Sequence, residues 1–138
     1  MTDHSVLNWE RVDNMLVVVN GTGSVPDSLW EQLVRDMDEL PIDTYLGISM
    51  GTIRVTSVQR QLAADVAKKR GLSTIILTND RLVRGLVTAV SWLGADIKAY
   101  PSGEMEEVLS SLELGGATRA AILEASSRLG QTLTKQAV

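Results

Sequence analysis

The sequence predicts an α/β domain built on a mixed, mainly parallel sheet with helices packed against it. Three observations carry this expectation. Strand-like and helix-like segments alternate along the chain in the order β-β-α-β-α-β-α-β-α. The connections between them are short. The first two strands are separated only by a tight turn, which makes the first strand antiparallel to the rest.

The elements follow in order. Residues 9–12 and 15–20 read as two strands around an Asp13-Asn14 turn. Residues 26–40 read as a helix, with Leu29, Leu33 and Met37, flanked by Trp30 and Val34, on its apolar face. Ser28 and Glu31 have the spacing of a capping box, and Pro41 stops the helix. Residues 44–50 form a short strand. In the helix over 56–70, Val58, Leu62, Ala63 and Val66 are expected to face inward, with Gly71 at the C-terminal end.

The pattern then repeats. Residues 73–77 are apolar and β-branched, as in a strand buried on both faces. The helix over 80–93 carries Leu82, Val83, Leu86, Val87 and Val90, apolar enough to require good cover. Asn79 and Asp80 are expected to cap it, and Asp80 to pair with Arg84 four residues on. A last strand covers 96–100. Met105, Val108, Leu109 and Leu112 then mark a helix face closed by Gly115-Gly116. These elements make up a domain over residues 1–116. Residues 117–138 form a helical extension whose stripe of Ile122, Leu129 and Leu133 is thin and is weakened by Gly130. The stripe suits a self-association seam; the competing expectation is that it lies back over the 80–93 helix.

Composition bounds the function. The chain has 138 residues, 44% of them apolar and 22% charged, which suits one globular core. It has no cysteine, and so no disulfide framework, thiolate metal site or thiol nucleophile. Its start lacks the pattern of a secretory signal, and no run of about 18 apolar residues is present. The expected location is the cytoplasm, with no membrane partner. The net charge of −4 makes nucleic acid a poor partner. The cluster Lys68-Lys69-Arg70 reads as cations at a helix C-terminus.

The motifs offer little catalytic chemistry. Gly47-Ile48-Ser49-Met50-Gly51 matches the nucleophile elbow G-x-S-x-G, but the single histidine, His4, lies upstream of Ser49. Gly21-Thr22-Gly23 falls between a strand and a helix, yet Pro26 stands where a phosphate loop needs its third glycine. It reads as a flexible connection. The acidic residues are scattered, so neither metal nor cofactor is expected, and the chain is not expected to be an enzyme. Trp92, at a predicted helix end, reads as core packing, with a partner-facing anchor as the other possibility.

The remaining candidate is the loop Gly51 to Ser57. Thr56 and Gln59 form a capping box, and a helix N-terminus with Arg54 nearby favours an anion. Thr52, Arg54, Thr56 and Ser57 are therefore the candidate regulatory or partner-binding residues.

Three stretches carry a family resemblance. They are Thr56-Ser-Val-Gln-Arg-Gln, then Ile75 through the Asn79-Asp80-Arg81 sequence to Leu93, then Ile97-Lys-Ala-Tyr. Together with the element order over residues 6–114, they resemble STAS-like proteins similar to anti-sigma-factor antagonists. The resemblance implies a mixed sheet with an antiparallel first strand. It also implies a bacterial regulatory protein that binds another protein, such as a kinase-type anti-sigma factor, and is switched by phosphorylation where the helix after the third strand opens. The family's Asp-x-Ser-Gly string is absent here; Thr56 is the nearest positional equivalent and Ser57 the second. The expected function is thus a non-enzymatic interaction module. The alternative is a domain that binds a small molecule or lipid between helix and sheet. A sizeable pocket favours the alternative, and an exposed patch over a filled core favours the module.

Overall fold

The structure is a computed structural model, and it describes residues 6–91 and 96–136. His4 and Trp92 lie outside the described residues. A five-stranded sheet runs in the order β1 (Leu7–Val12), β2 (Met15–Asn20), β4 (Thr44–Ser49), β6 (Ser73–Leu77), β7 (Ile97–Tyr100). Strand β1 pairs antiparallel with β2, and every other pair in this sheet is parallel. Asp13, at φ 51°, closes the first hairpin, with Val12 opposite Met15. This is the α/β class and the mixed sheet that the alternation predicts.

Helices α1 (Asp27–Glu39), α2 (Ser57–Arg70) and α3 (Arg81–Ser91) are the crossovers between successive parallel strands. Right-handed crossovers that all step in one direction place their helices on one face of the sheet. There Leu7, Leu16 and Val18 meet Leu29, Trp30, Leu33 and Met37 of α1, with Ala63, Val66 and Ala67 of α2 beside them. After a 3₁₀ turn (Ser102–Glu104), helices α4 (Met105–Ser111) and α5 (Gly116–Gln136) cover the opposite face. Its core joins Val17, Val19, Leu46, Ile48, Ile75 and Leu77 to Val108, Leu109, Ile122 and Leu129.

Several expectations change. Helix α1 has Pro26 at its N-cap and no side-chain cap; Ser28 is already inside the first turn, so no Ser28–Glu31 box forms. Gly21 to Gly23 is not a free connection. Gly23–Ser24 forms a short strand, β3, parallel to β5 (Ile53–Arg54). Helix α4 ends at Ser111 with Leu112 as its C-cap, Glu113 takes the left-handed turn at φ 55°, and Gly116 opens α5 instead of closing α4.

The stripe on α5 is not a seam for a second copy. Ile122, Ala125, Leu129 and Leu133 are buried in the domain's own core, where α5 packs on β1 and β2. It also does not cover α3, which lies across the sheet from it. Small residues explain the close approach: Ala125 and Ser126 are buried, and the Ser126 hydroxyl donates to the Ile122 carbonyl at 2.7 Å. At Gly130 a Cβ would meet only the tip of the Met50 side chain, 2.7 Å from its sulfur, and that side chain is 49% exposed and free to shift.

The basic cluster at the end of α2 ties helices together. Arg70 donates to the carbonyls of Met37 at 2.8 Å and Leu40 at 3.0 Å, at the C-terminal end of α1, and Lys69 pairs with Asp38 at 2.7 Å. Four guanidinium bonds to backbone oxygens complete the acceptors that a helix end leaves open. Among the described residues, no helix is long and apolar enough to cross a membrane.

Candidate functional site

The carboxyl ends of β4 and β6, and the amino ends of α2 and α3 that follow them, form the candidate site. Two loops are stitched together at its corner. The Gly23 amide donates to the Thr52 carbonyl at 3.1 Å, and the Thr52 amide donates to the Thr22 hydroxyl at 3.1 Å. Arg54 Nε donates to the Ser24 hydroxyl at 3.2 Å. Gly51 permits the approach: a Cβ there would lie 2.7 Å from the Thr22 nitrogen, closer than such atoms pack. Thr52 and Arg54 are thereby engaged in holding the loops.

Ser49, the serine of the G-x-S-x-G string, has a structural role. Its hydroxyl donates to the Gly51 carbonyl at 2.7 Å and accepts from Asn20 Nδ2 at 3.3 Å. Those bonds close the end of the strand.

Thr56 caps α2 as its spacing predicts. The Gln59 amide donates to Thr56 Oγ1 at 3.0 Å, and the Thr56 amide donates to Gln59 Oε1 at 2.9 Å. The Gln59 side chain then continues inward, 2% exposed, and its Nε2 donates to the Val25 carbonyl and the Asp27 carboxylate, each at 2.9 Å. Ser57 is different. It is exposed at the first helical position, and its hydroxyl makes no hydrogen bond among the described residues.

Apolar surface concentrates around these helix starts. Leu82 is 85% exposed and Leu86 55%, so α3 is not well covered. Its apolar stripe is wider than the edge that meets the sheet: Val87 is buried, while Leu82 and Leu86, one turn apart, face out. On α2, Val58 is 68% exposed and Leu62 is exposed too, contrary to expectation. Gln59 occupies the inward position at that end, and Ala63, Val66 and Ala67 continue the packed face. Asp80 does cap α3, accepting from the Leu82 amide at 3.0 Å and the Val83 amide at 3.4 Å. Its carboxylate serves that role rather than an ion pair with Arg84, whose Nε is buried without a partner among the described residues. Asn79 instead accepts from the Ser102 amide at 3.1 Å.

Between α2, α3 and the sheet lies a cavity of about 580 Å³. Tyr45, Gly47, Thr74 and Ile76 contribute to its floor, Ala63, Ala64 and Ala67 to one wall, Val83, Leu86 and Val87 to the other. Strand β6 is therefore buried on one face only, through Ile75 and Leu77, with Thr74 and Ile76 left half-buried. At the strand ends the cavity meets a second cleft of about 530 Å³; both include Ser49, Thr52, Thr78 and Asp80. Burial pushes the Tyr45 phenol above its ordinary value of 10.0.

Sequence reasoning found Thr56 and its cap but missed this cavity. The signals were the alanines at 63, 64 and 67 and the glycine at 47, which leave space over a strand pair that a parallel sheet normally covers. Of the features set out as discriminators, the sizeable pocket is present, and the exposed apolar patch is present but lies beside that pocket rather than over a filled core. No protein-family model matches the chain, and no curated protein matches it.

Proposed function

We propose that this chain is a non-enzymatic regulatory module of STAS-like type that docks a partner protein where α2 and α3 begin. The carrying observation is the half-covered stripe of α3, with Leu82 85% and Leu86 55% exposed. Large apolar side chains grouped in water are a common mark of an interaction surface. Arg54, Arg60 and Arg81 are exposed at the same end, so the partner chemistry that fits is an apolar contact with an acidic rim. The antiparallel first strand and the helix order agree with the resemblance, which supplies the regulatory reading and the kinase-type partner.

The switch belongs at the start of α2. Ser57 is the better modification position, because its hydroxyl is exposed and unbonded among the described residues, whereas the Thr56 hydroxyl is occupied by the cap. A phosphate at a helix N-terminus is electrostatically favoured and would add negative charge beside the docking surface.

The test is capture from the native host by crosslinking, with Leu82→Glu and Ser57→Glu beside the unmodified chain. The expected result is one partner lost with Leu82→Glu at unchanged melting temperature and altered by Ser57→Glu. A partner that binds both variants like the parent would overturn the reading.

A further inference from the structure

Helices α4 and α5 seal one face of the sheet, but the other is closed only under α1 and the inner side of α2. Over β4 and β6 the next layer consists of alanines from α2 and the inner edge of α3. The resulting cavity, about 580 Å³, falls in the range of sites that enclose small organic molecules. Its walls are apolar, so water inside it gains few hydrogen bonds.

The lining is mainly apolar, with Thr74 and Tyr45 on the floor and Ser57, Arg60 and Gln61 on the α2 side. Tyr45 sits on the floor, and its hydroxyl has no hydrogen-bond partner among the described residues. Tyr45 is half-buried, so its hydroxyl remains open to water or to a bound molecule. Polar side chains otherwise gather at the strand-end mouth, where Ser49, Thr52, Thr78 and Asp80 lead into the second cleft. The arrangement suits a molecule with an apolar body on the floor, accepting one hydrogen bond from within.

The geometry points to a binding site for a small, uncharged, mainly apolar molecule between α2, α3 and the sheet, with a carbonyl-type acceptor bonded to the Tyr45 hydroxyl. The phenol stays protonated through the physiological range, so it is a donor there. A charged head is disfavoured against the floor, where Gly47, Ile76 and the α2 alanines offer it no hydrogen bonds; the charged residues of the lining, Arg60 and Asp80, are exposed to water. This goes beyond partner docking, although the two sites adjoin: Leu86, Ser57 and Arg60 belong to both, whereas Leu82, the most exposed leucine of α3, is not part of the cavity lining.

The experiment uses two neutral fluorescent probes on the whole chain. Prodan, a naphthalene with a ketone, offers an acceptor; diphenylhexatriene, a hydrocarbon, offers none. Both are expected to bind saturably at one site per chain. Ala64→Trp, on an exposed helix position that lines the cavity, should abolish both. Should that variant lose its cooperative melt, Val83→Trp blocks the same space from the opposite wall. Tyr45→Phe should weaken Prodan about fivefold, as for one lost neutral hydrogen bond, and leave diphenylhexatriene unchanged. Leu82→Glu should leave both probes bound, which separates this site from the docking surface. Non-saturable binding, or binding that survives a folded blocking variant, would overturn the site. Equal responses of the two probes to Tyr45→Phe would overturn the hydrogen bond.

Discussion

The indole N–H of Trp30 donates to the backbone carbonyl of Gln59 at 2.7 Å, both residues buried. One residue of α2 thus receives α1 through its carbonyl, caps its own helix through Oε1, and reaches the start of α1 through Nε2. Gln59→Leu keeps the volume but removes both side-chain bonds to buried or partly buried backbone. The expected cost is about 2–3 kcal/mol, because the Val25 carbonyl and the Thr56 amide lose their partners together. Urea denaturation measures it; a loss below about 0.5 kcal/mol, the scale of an ordinary surface change, would contradict this account.

Thr56 and Ser57 are adjacent hydroxyls with different environments. Thr56→Ala should cost about 1 kcal/mol through loss of the cap. Ser57→Ala should stay within about 0.5 kcal/mol, since that hydroxyl is exposed and unbonded among the described residues. The contrast is read from paired melts of the two variants. Equal costs would mean that the cap at Thr56 carries no special weight.

Helix α5 is part of the core, so shortening its buried side chains should be expensive. Ile122→Ala is expected to cost about 3 kcal/mol, in the range for an aliphatic side chain removed from a packed site. Removal of the chain after Gly116 should lower the melting temperature, as it uncovers Val17, Val19 and Ile48. The sedimentation of Ile122→Ala should match the parent's. A dissociation caused by that change, with stability retained, would restore the self-association seam.

The sheet was legible because Val17 to Val19 and Thr74 to Ile76 are β-branched runs and the parallel strands are separated by helix-length segments. The Asp13-Asn14 turn and the Thr56–Gln59 spacing were legible because both are local chemistry. What escaped was decided between distant segments. Gly23–Ser24 and Ile53–Arg54 are two-residue strands that exist only because two loops meet. The sequence of α3 shows which residues are apolar, but not that the sheet covers only the edge at Val87 and leaves Leu82 in water. The stripe of α5 looked thin because Ala125 and Ser126, which let the helix approach, do not read as core.

Tyr45 links the cavity to a pH dependence. Burial raises the folded-state pKa of its phenol above the ordinary value of 10.0. Below pH 10 the phenol is protonated in both the folded and the unfolded chain, and its contribution is constant. As pH rises past 10, the unfolded chain ionises first and binds fewer protons than the folded one. Stability must then fall with rising pH, because the proton difference sets the slope. Tyr45→Phe removes this difference. The expected outcome is a melting temperature that declines more between pH 9.5 and 11 for the parent than for Tyr45→Phe, at matched ionic strength. Tyr100, for comparison, lies among the opposite core's partners, and its replacement by Phe is the control for a general loss of tyrosine. Parallel declines in parent and Tyr45→Phe would mean that the phenol ionises in the folded protein as readily as in the unfolded one. The cavity floor would then be as wet as bulk solvent.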